Sequence, residues 1–253
     1  MVSQNARQPL HSLEICEVQM TKRFWQSQGS GKVFGMGIGR MSTVSLFGMG
    51  LLLLASPAFA HHPTGGEIPS TVFEGFWSGL AHPVIGLDHF AFIVAVGLLA
   101  TIQRAWGWVL PVVFVAGTLG GTGLHLGRVD LPGLELVISL SVLTFGLILA
   151  LGRGVSGITM VPWVRSLTIT VLGAIAGLFH GYAYGEAVIG AEMTPILAYL
   201  AGFALVQLGI AIATLTLARR WCSAPEAAEL PLRFAGFTLL GIGATFLSSA
   251  VLG

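Results

Sequence analysis

The sequence predicts an all-α membrane protein, with six transmembrane helices after a cleaved N-terminal signal peptide. Three observations predict it. Hydrophobic residues make up 54% of the 253-residue chain and charged residues only 9%, whereas a soluble domain is nearer a quarter charged. Beyond residue 60 the chain reads as six apolar segments, each close to the roughly 20 residues that a bilayer crossing requires. The arginines between them fall almost all on alternate breaks, as the positive-inside rule demands. A net charge of +1 leaves no nucleic-acid footprint. The two cysteines, Cys16 and Cys222, build neither a disulfide framework nor a thiolate metal site.

Residues 1–60 read as leader and signal peptide. Residues 1–35 are polar; then Arg40, the run Val44 to Ala55, and Ala58-Phe59-Ala60 supply a charged region, a short apolar core and a small-x-small cleavage site. Cleavage after Ala60 leaves His61 as the mature amino terminus, facing the periplasm of a bacterial inner membrane. An uncleaved first helix is the alternative. The residues ahead of Met36 point to Met20 or Met36 as the true start.

Residues 61–253 form the membrane domain, with spans at about 75–102, 106–125, 133–151, 163–189, 194–217 and 232–252. The breaks are Gln103-Arg104, Arg128 to Pro132, Arg153 to Pro162, Glu192 to Pro195 and Arg219 to Pro231. With His61 outside, Arg104, Arg153, Arg165, Arg219, Arg220 and Arg233 face the cytoplasm and Arg128 alone faces out. Trp77, Trp106, Trp108 and Trp163 fit an interfacial aromatic belt. A weak repeat pairs Gly79-Leu80-Ala81-His82, followed by Asp88, with Gly177-Leu178-Phe179-His180, followed by Glu186. They lie in the first and fourth spans, which allows a 3+3 inverted repeat, a recurring transporter plan.

The chemistry concentrates in these two stretches. From Phe76 to Ile102 the only ionisable side chains are His82, Asp88 and His89, and such groups within a span are costly and usually functional. Imidazole and carboxylate are ligands for borderline divalent metals. On a straight helix His82 and His89 share a face but lie about 10 Å apart along the axis. Pro83 and Gly86 between them predict a bend or unwinding that closes the gap and aims Asp88 inward. Alternatively, Asp88 orients an imidazole from behind. In the fourth span Gly173, Gly177, Gly181 and Gly185 recur every four residues, which lets another helix approach closely. His180 and Tyr184 form the neighbouring face, expected to meet the first span. Glu186 lies nearer the outer mouth. The roles of His125, Glu135 and the terminal pair His61-His62 stay open.

His82-Pro83-x-x-Gly86-x-Asp88-His89 and Phe179-His180-Gly181-x-Ala183-x-Gly185-Glu186 resemble the two signature motifs of the HupE/UreJ family of nickel/cobalt permeases, at every fixed position. The resemblance covers nearly all of the mature chain, and the leader ahead of Met36 departs from the family pattern. It implies uptake of Ni²⁺ or Co²⁺ as transported substrate, with no permanently bound cofactor. His82, Asp88, His89, His180 and Glu186 are then the metal-handling residues. Cytoplasmic metallochaperones or proteins that mature hydrogenase or urease are the implied partners, alongside the lipid bilayer.

The chain lacks a Gly-x-x-x-x-Gly-Lys-Ser/Thr loop for ATP. Transport would then draw on the membrane potential, on a proton carried by Asp88 or Glu186, or on cytoplasmic trapping. A non-transporting metal sensor or accessory protein is the second reading. An intramembrane protease is not expected. Ser156, in Gly154-Val155-Ser156-Gly157, has only His180 as a later base, roughly 30 Å or more away along one helix. No His-Glu-x-x-His occurs either. The ligand types suit nickel, cobalt, copper and zinc alike.

Overall fold

A computed structural model describes residues 68–103, 106–152, 161–221 and 225–252. All fall within the compact unit Ala55–Gly253. The predicted signal peptide, the alternative starts, His61-His62 and Ser156 lie outside the described residues.

The described residues form seven α-helices: α1 Val72–Ile85, α2 Leu87–Ile102, α3 Val109–Leu126, α4 Leu134–Leu151, α5 Pro162–Gly185, α6 Met193–Trp221 and α7 Pro225–Leu252. A 3₁₀ turn, Glu186–Val188, follows α5. Among the described residues, helices α3 to α7 are each long and apolar enough to cross a bilayer, and α1 and α2 form an apolar pair bent by 80° at a break of one residue, Gly86. Five of the six predicted segments are single long apolar helices, and the first is the bent pair α1–α2. Arg219 to Pro231 is mostly not a loop: α6 runs to Trp221, and α7 begins at Pro225 with Pro231 inside it. Charge and proline mark where a chain leaves the hydrocarbon, but a helix can continue beyond that boundary.

Sequence-local chemistry sets several of these ends. Thr71 caps α1, its Oγ1 accepting from the Glu74 N–H while the Glu74 carboxylate takes the Thr71 N–H; this is the reciprocal capping box. Arg233 of α7 donates through Nε to the Ala150 carbonyl (3.0 Å), satisfying one of the orphan acceptors that end α4. At the end of α3 the Val129 N–H returns to Leu124 and the Arg128 N–H to His125, a Schellman closure that places Arg128 at φ 57°. Glycine suits that position better than a residue with a Cβ. Arg128→Gly is therefore expected to raise stability by about 1 kcal/mol, read as a higher melting temperature in detergent; an unchanged or lower one contradicts the account.

Three intimate helix pairs frame the bundle, each joined where glycine admits a neighbouring backbone. Gly79 of α1 lies against Tyr199 of α6, and Gly202 of α6 against Phe76. Gly177 of α5 lies against Phe114 of α3, and Gly117 of α3 against Ala174. Gly236 of α7 lies against Ala150 of α4, and Gly243 against Leu143. The predicted glycine ladder of α5 thus packs on α3, which leaves the His180 face to turn elsewhere. Helix α2 fills the centre: Phe92, Ile93, Val96 and Leu99 are fully buried, with Phe114, Phe145 and Ala211 in the same core. Trp77, Trp106, Trp108 and Trp163 are exposed, as a belt at the lipid boundary requires.

Candidate functional site

The site begins at the break between α1 and α2. Pro83 brings no N–H to the last turn of α1, and Gly86 closes it by donating to the His82 carbonyl (3.3 Å). Gly86 has φ −70°, so no left-handed conformation calls for glycine. Space does: a Cβ there would stand 2.7 Å from Cδ2 of His89 and 3.3 Å from Oδ1 of Asp88. Gly86 also gives α2 no side-chain cap. Instead Asp88 Oδ1 accepts from the His89 N–H (2.9 Å), a carboxylate favoured at a helix amino terminus. The bend brings the rings of His82 and His89 to 6.2 Å between centroids.

Hydrogen bonds fix the protons on the rings. Ser141 of α4 has one hydroxyl hydrogen and gives it to the Ile138 carbonyl (2.6 Å). Its oxygen, 3.0 Å from Nε2 of His180, therefore accepts from an Nε2–H. Neutral His180 then has a bare Nδ1, which accepts from Nδ1–H of His89 at 2.8 Å. The lone pair of His89 is left on Nε2. The same reasoning applies to His82. The Tyr199 hydroxyl donates to the Tyr184 carbonyl (2.9 Å) and so accepts from Nδ1–H of His82 (2.9 Å), which puts the lone pair of His82 on Nε2 as well.

Packing holds the rings in place. His180 is fully buried and stacks on Phe92 at 4.5 Å. The Tyr184 ring lies 5.1 Å from His82 and 4.7 Å from His89. Its hydroxyl is buried and has no hydrogen-bond partner among the described residues.

The structure thus joins His82, His89 and His180 in one chain of contacts, with Asp88 half-buried beside His89. Glu186 is exposed on the 3₁₀ turn beyond α5. His125 lies at the same end, its Cβ against Gly185 and its ring 4.3 Å from Tyr182; Glu135 is exposed in the first turn of α4. Among the described residues no three His, Cys, Asp or Glu side chains converge closely enough to hold a metal ion. Sequence reasoning missed Ser141 and Tyr199. Each is one of several polar residues in an apolar helix, and only the packing of α4 and α6 gives it a histidine to bond.

A bundle of apolar helices with imidazole, phenol and carboxylate gathered at a broken span defines a multi-pass membrane protein with an internal polar site. The family model described as HupE / UreJ protein matches residues 49–246. The chain is also 32% identical over 203 residues to Protein HupE of Rhizobium leguminosarum bv. viciae, covering 78% of this chain and 94% of that one. The chain belongs to the HupE/UreJ family. No solved structure matches it.

Proposed function

We propose that this protein is a secondary permease carrying a divalent transition-metal ion, Ni²⁺ or Co²⁺, inward across the bacterial inner membrane, its mature amino terminus periplasmic. One observation carries the reading: the rings of His82 and His89 face one helix break, 6.2 Å apart between centroids, and Nδ1–H of His89 is engaged by His180 so that its Nε2 holds the lone pair. Neutral imidazole nitrogen is a donor these ions take, and the break brings two imidazoles together from residues seven apart in the chain. His82 and His89 bind the ion directly, Asp88 supplies negative charge beside them, and Glu186 draws the cation to the mouth. His180 acts through His89, whose proton it holds in place. Two protein nitrogens, with water completing the shell, suit an ion that must leave again.

A 3+3 inverted repeat supports alternating access. Gly79 and Gly177 are 98 positions apart, as are Phe76 and Ala174; Tyr199 and Phe114 are 85 apart, as are Gly202 and Gly117. The α1–α6 contact is thus repeated, residue for residue, in α5–α3. The α4–α7 pair relates to itself: Leu143 and Gly236 are 93 apart, as are Ala150 and Gly243. The bodies that move are then these interlocked pairs, each drawn from both halves, rather than the two halves themselves.

Protein in sealed liposomes, offered nickel, cobalt, copper and zinc in turn, tests the proposal. Accumulation of nickel or cobalt above empty vesicles is expected. Binding without accumulation would refute it in favour of a metal sensor or accessory protein. Ser141→Ala, which removes the acceptor of the His180 Nε2–H, is expected to weaken nickel binding about tenfold while the protein folds normally. Unchanged affinity would show that the tautomer chain does not matter.

A further inference from the structure

Inward of the histidines, the core contains polar side chains that neither fold nor family motif uses. On α6 the residues Tyr199, Phe203, Gln207, Ala211 and Leu215 form one inward stripe, all buried. Gln207 is 0% exposed, yet neither its Oε1 nor its Nε2 has a hydrogen-bond partner among the described residues. The same holds for Gln103, 6% exposed at the end of α2. An orphaned amide in an apolar interior is costly, so a membrane core retains one where something polar passes.

Register places the two amides in series with the site. Gly97 of α2 lies against the Ala211 backbone, and Gly107, beyond α2, against Arg219. The two helices therefore run in the same direction here. Gln207, one turn before Ala211, is level with Ile93, one turn past His89. Gln103 ends the α2 stripe that His89 begins, about 21 Å further along at 1.5 Å per residue, at the end of the bundle bearing Arg219. Polar stations thus descend the α2–α6 interface from the imidazoles towards the arginines.

Resting on the permease reading above, we infer that Gln207 and then Gln103 form the exit path, each amide oxygen in turn a weak ligand to the partly hydrated divalent cation leaving His82 and His89. The order of donors gives the path its direction. Nickel and cobalt prefer imidazole nitrogen to a neutral amide oxygen, so the ion is held most tightly where it is captured and ever less tightly on the way out. Each amide N–H₂ meanwhile donates to water that travels with the ion. An uncharged station neither needs a proton nor traps the cation, which conduction through several weak sites requires.

The test compares Gln207→Leu and Gln207→Met with wild type in two assays: nickel binding in detergent and initial nickel uptake into liposomes. Binding within twofold of wild type, with uptake slowed at least tenfold, is expected, together with a melting temperature no lower than wild type, because an orphaned polar group has gone. Gln207→Glu, which keeps the oxygens and adds a charge, is expected to bind nickel more tightly and also to transport slowly. Uptake at the wild-type rate in the Leu and Met variants overturns the exit path alone. Loss of folding in Gln207→Met also overturns it, by showing that the amide holds the bundle together. If wild type itself accumulates no ion, the permease reading fails and the path with it.

Discussion

Gly181→Val is expected to cost about 3 kcal/mol or more and to leave little folded protein. Its Cβ would fall on the Thr118 backbone of α3. Backbone cannot rotate away as a side-chain tip can, so α3 and α5 must move apart. Overpacking of this kind costs about 1–3 kcal/mol. The separation also breaks the hydrogen bond from Thr122 Oγ1 to the Gly181 carbonyl (2.7 Å), worth roughly a further 1 kcal/mol in a membrane. The control lies on α3, the partner helix. Gly123 has nothing within 4 Å of where its Cβ would stand, and Gly123→Ala is expected to be neutral or to stabilise by up to about 1 kcal/mol. Melting temperatures and yields in detergent decide it; equal behaviour of the two variants would mean that close approach of α3 and α5 is not what holds this part of the bundle.

The second large effect is on function. His89→Ala is expected to reduce nickel uptake to that of empty liposomes. The substitution removes the Nε2 donor directly and takes away the donor that His180 Nδ1 accepts from, leaving a fully buried polar atom without its bond. Such an orphan costs about 1–3 kcal/mol, so some loss of stability accompanies the loss of uptake. His89→Gln separates the two effects: its amide can still donate towards His180 but offers oxygen in place of imidazole nitrogen. Folding is expected to recover while uptake stays at least tenfold down. Full uptake by His89→Gln would show that the ion does not need nitrogen from this position.

Much of this is legible in the sequence alone. Apolar runs of bilayer length are set by the thickness of hydrocarbon, so the long apolar helices follow from composition and spacing. Pro83 and Gly86 announced the bend because one lacks an N–H and the other a side chain. The ladder from Gly173 to Gly185 announced a close helix neighbour. Asp88 was less legible. Its carboxylate accepts the His89 N–H in the first turn of α2, and nothing in the spacing announces that bond. The long continuation of α6 and the early start of α7 were illegible for another reason: charge and proline report where hydrocarbon ends, not where a helix does.

By itself the sequence determined that this chain is a multi-pass membrane protein and that its imidazoles and carboxylates cluster in two of its apolar stretches, since both follow from transfer energies of single residues. Only the tertiary structure decided which helix the glycine ladder meets, that Ser141 and Tyr199 set the protons on His180 and His82, and that Gln207 and Gln103 lie buried without partners. Those depend on which faces of distant helices touch, and a polar residue in an apolar segment carries no mark of its eventual neighbour.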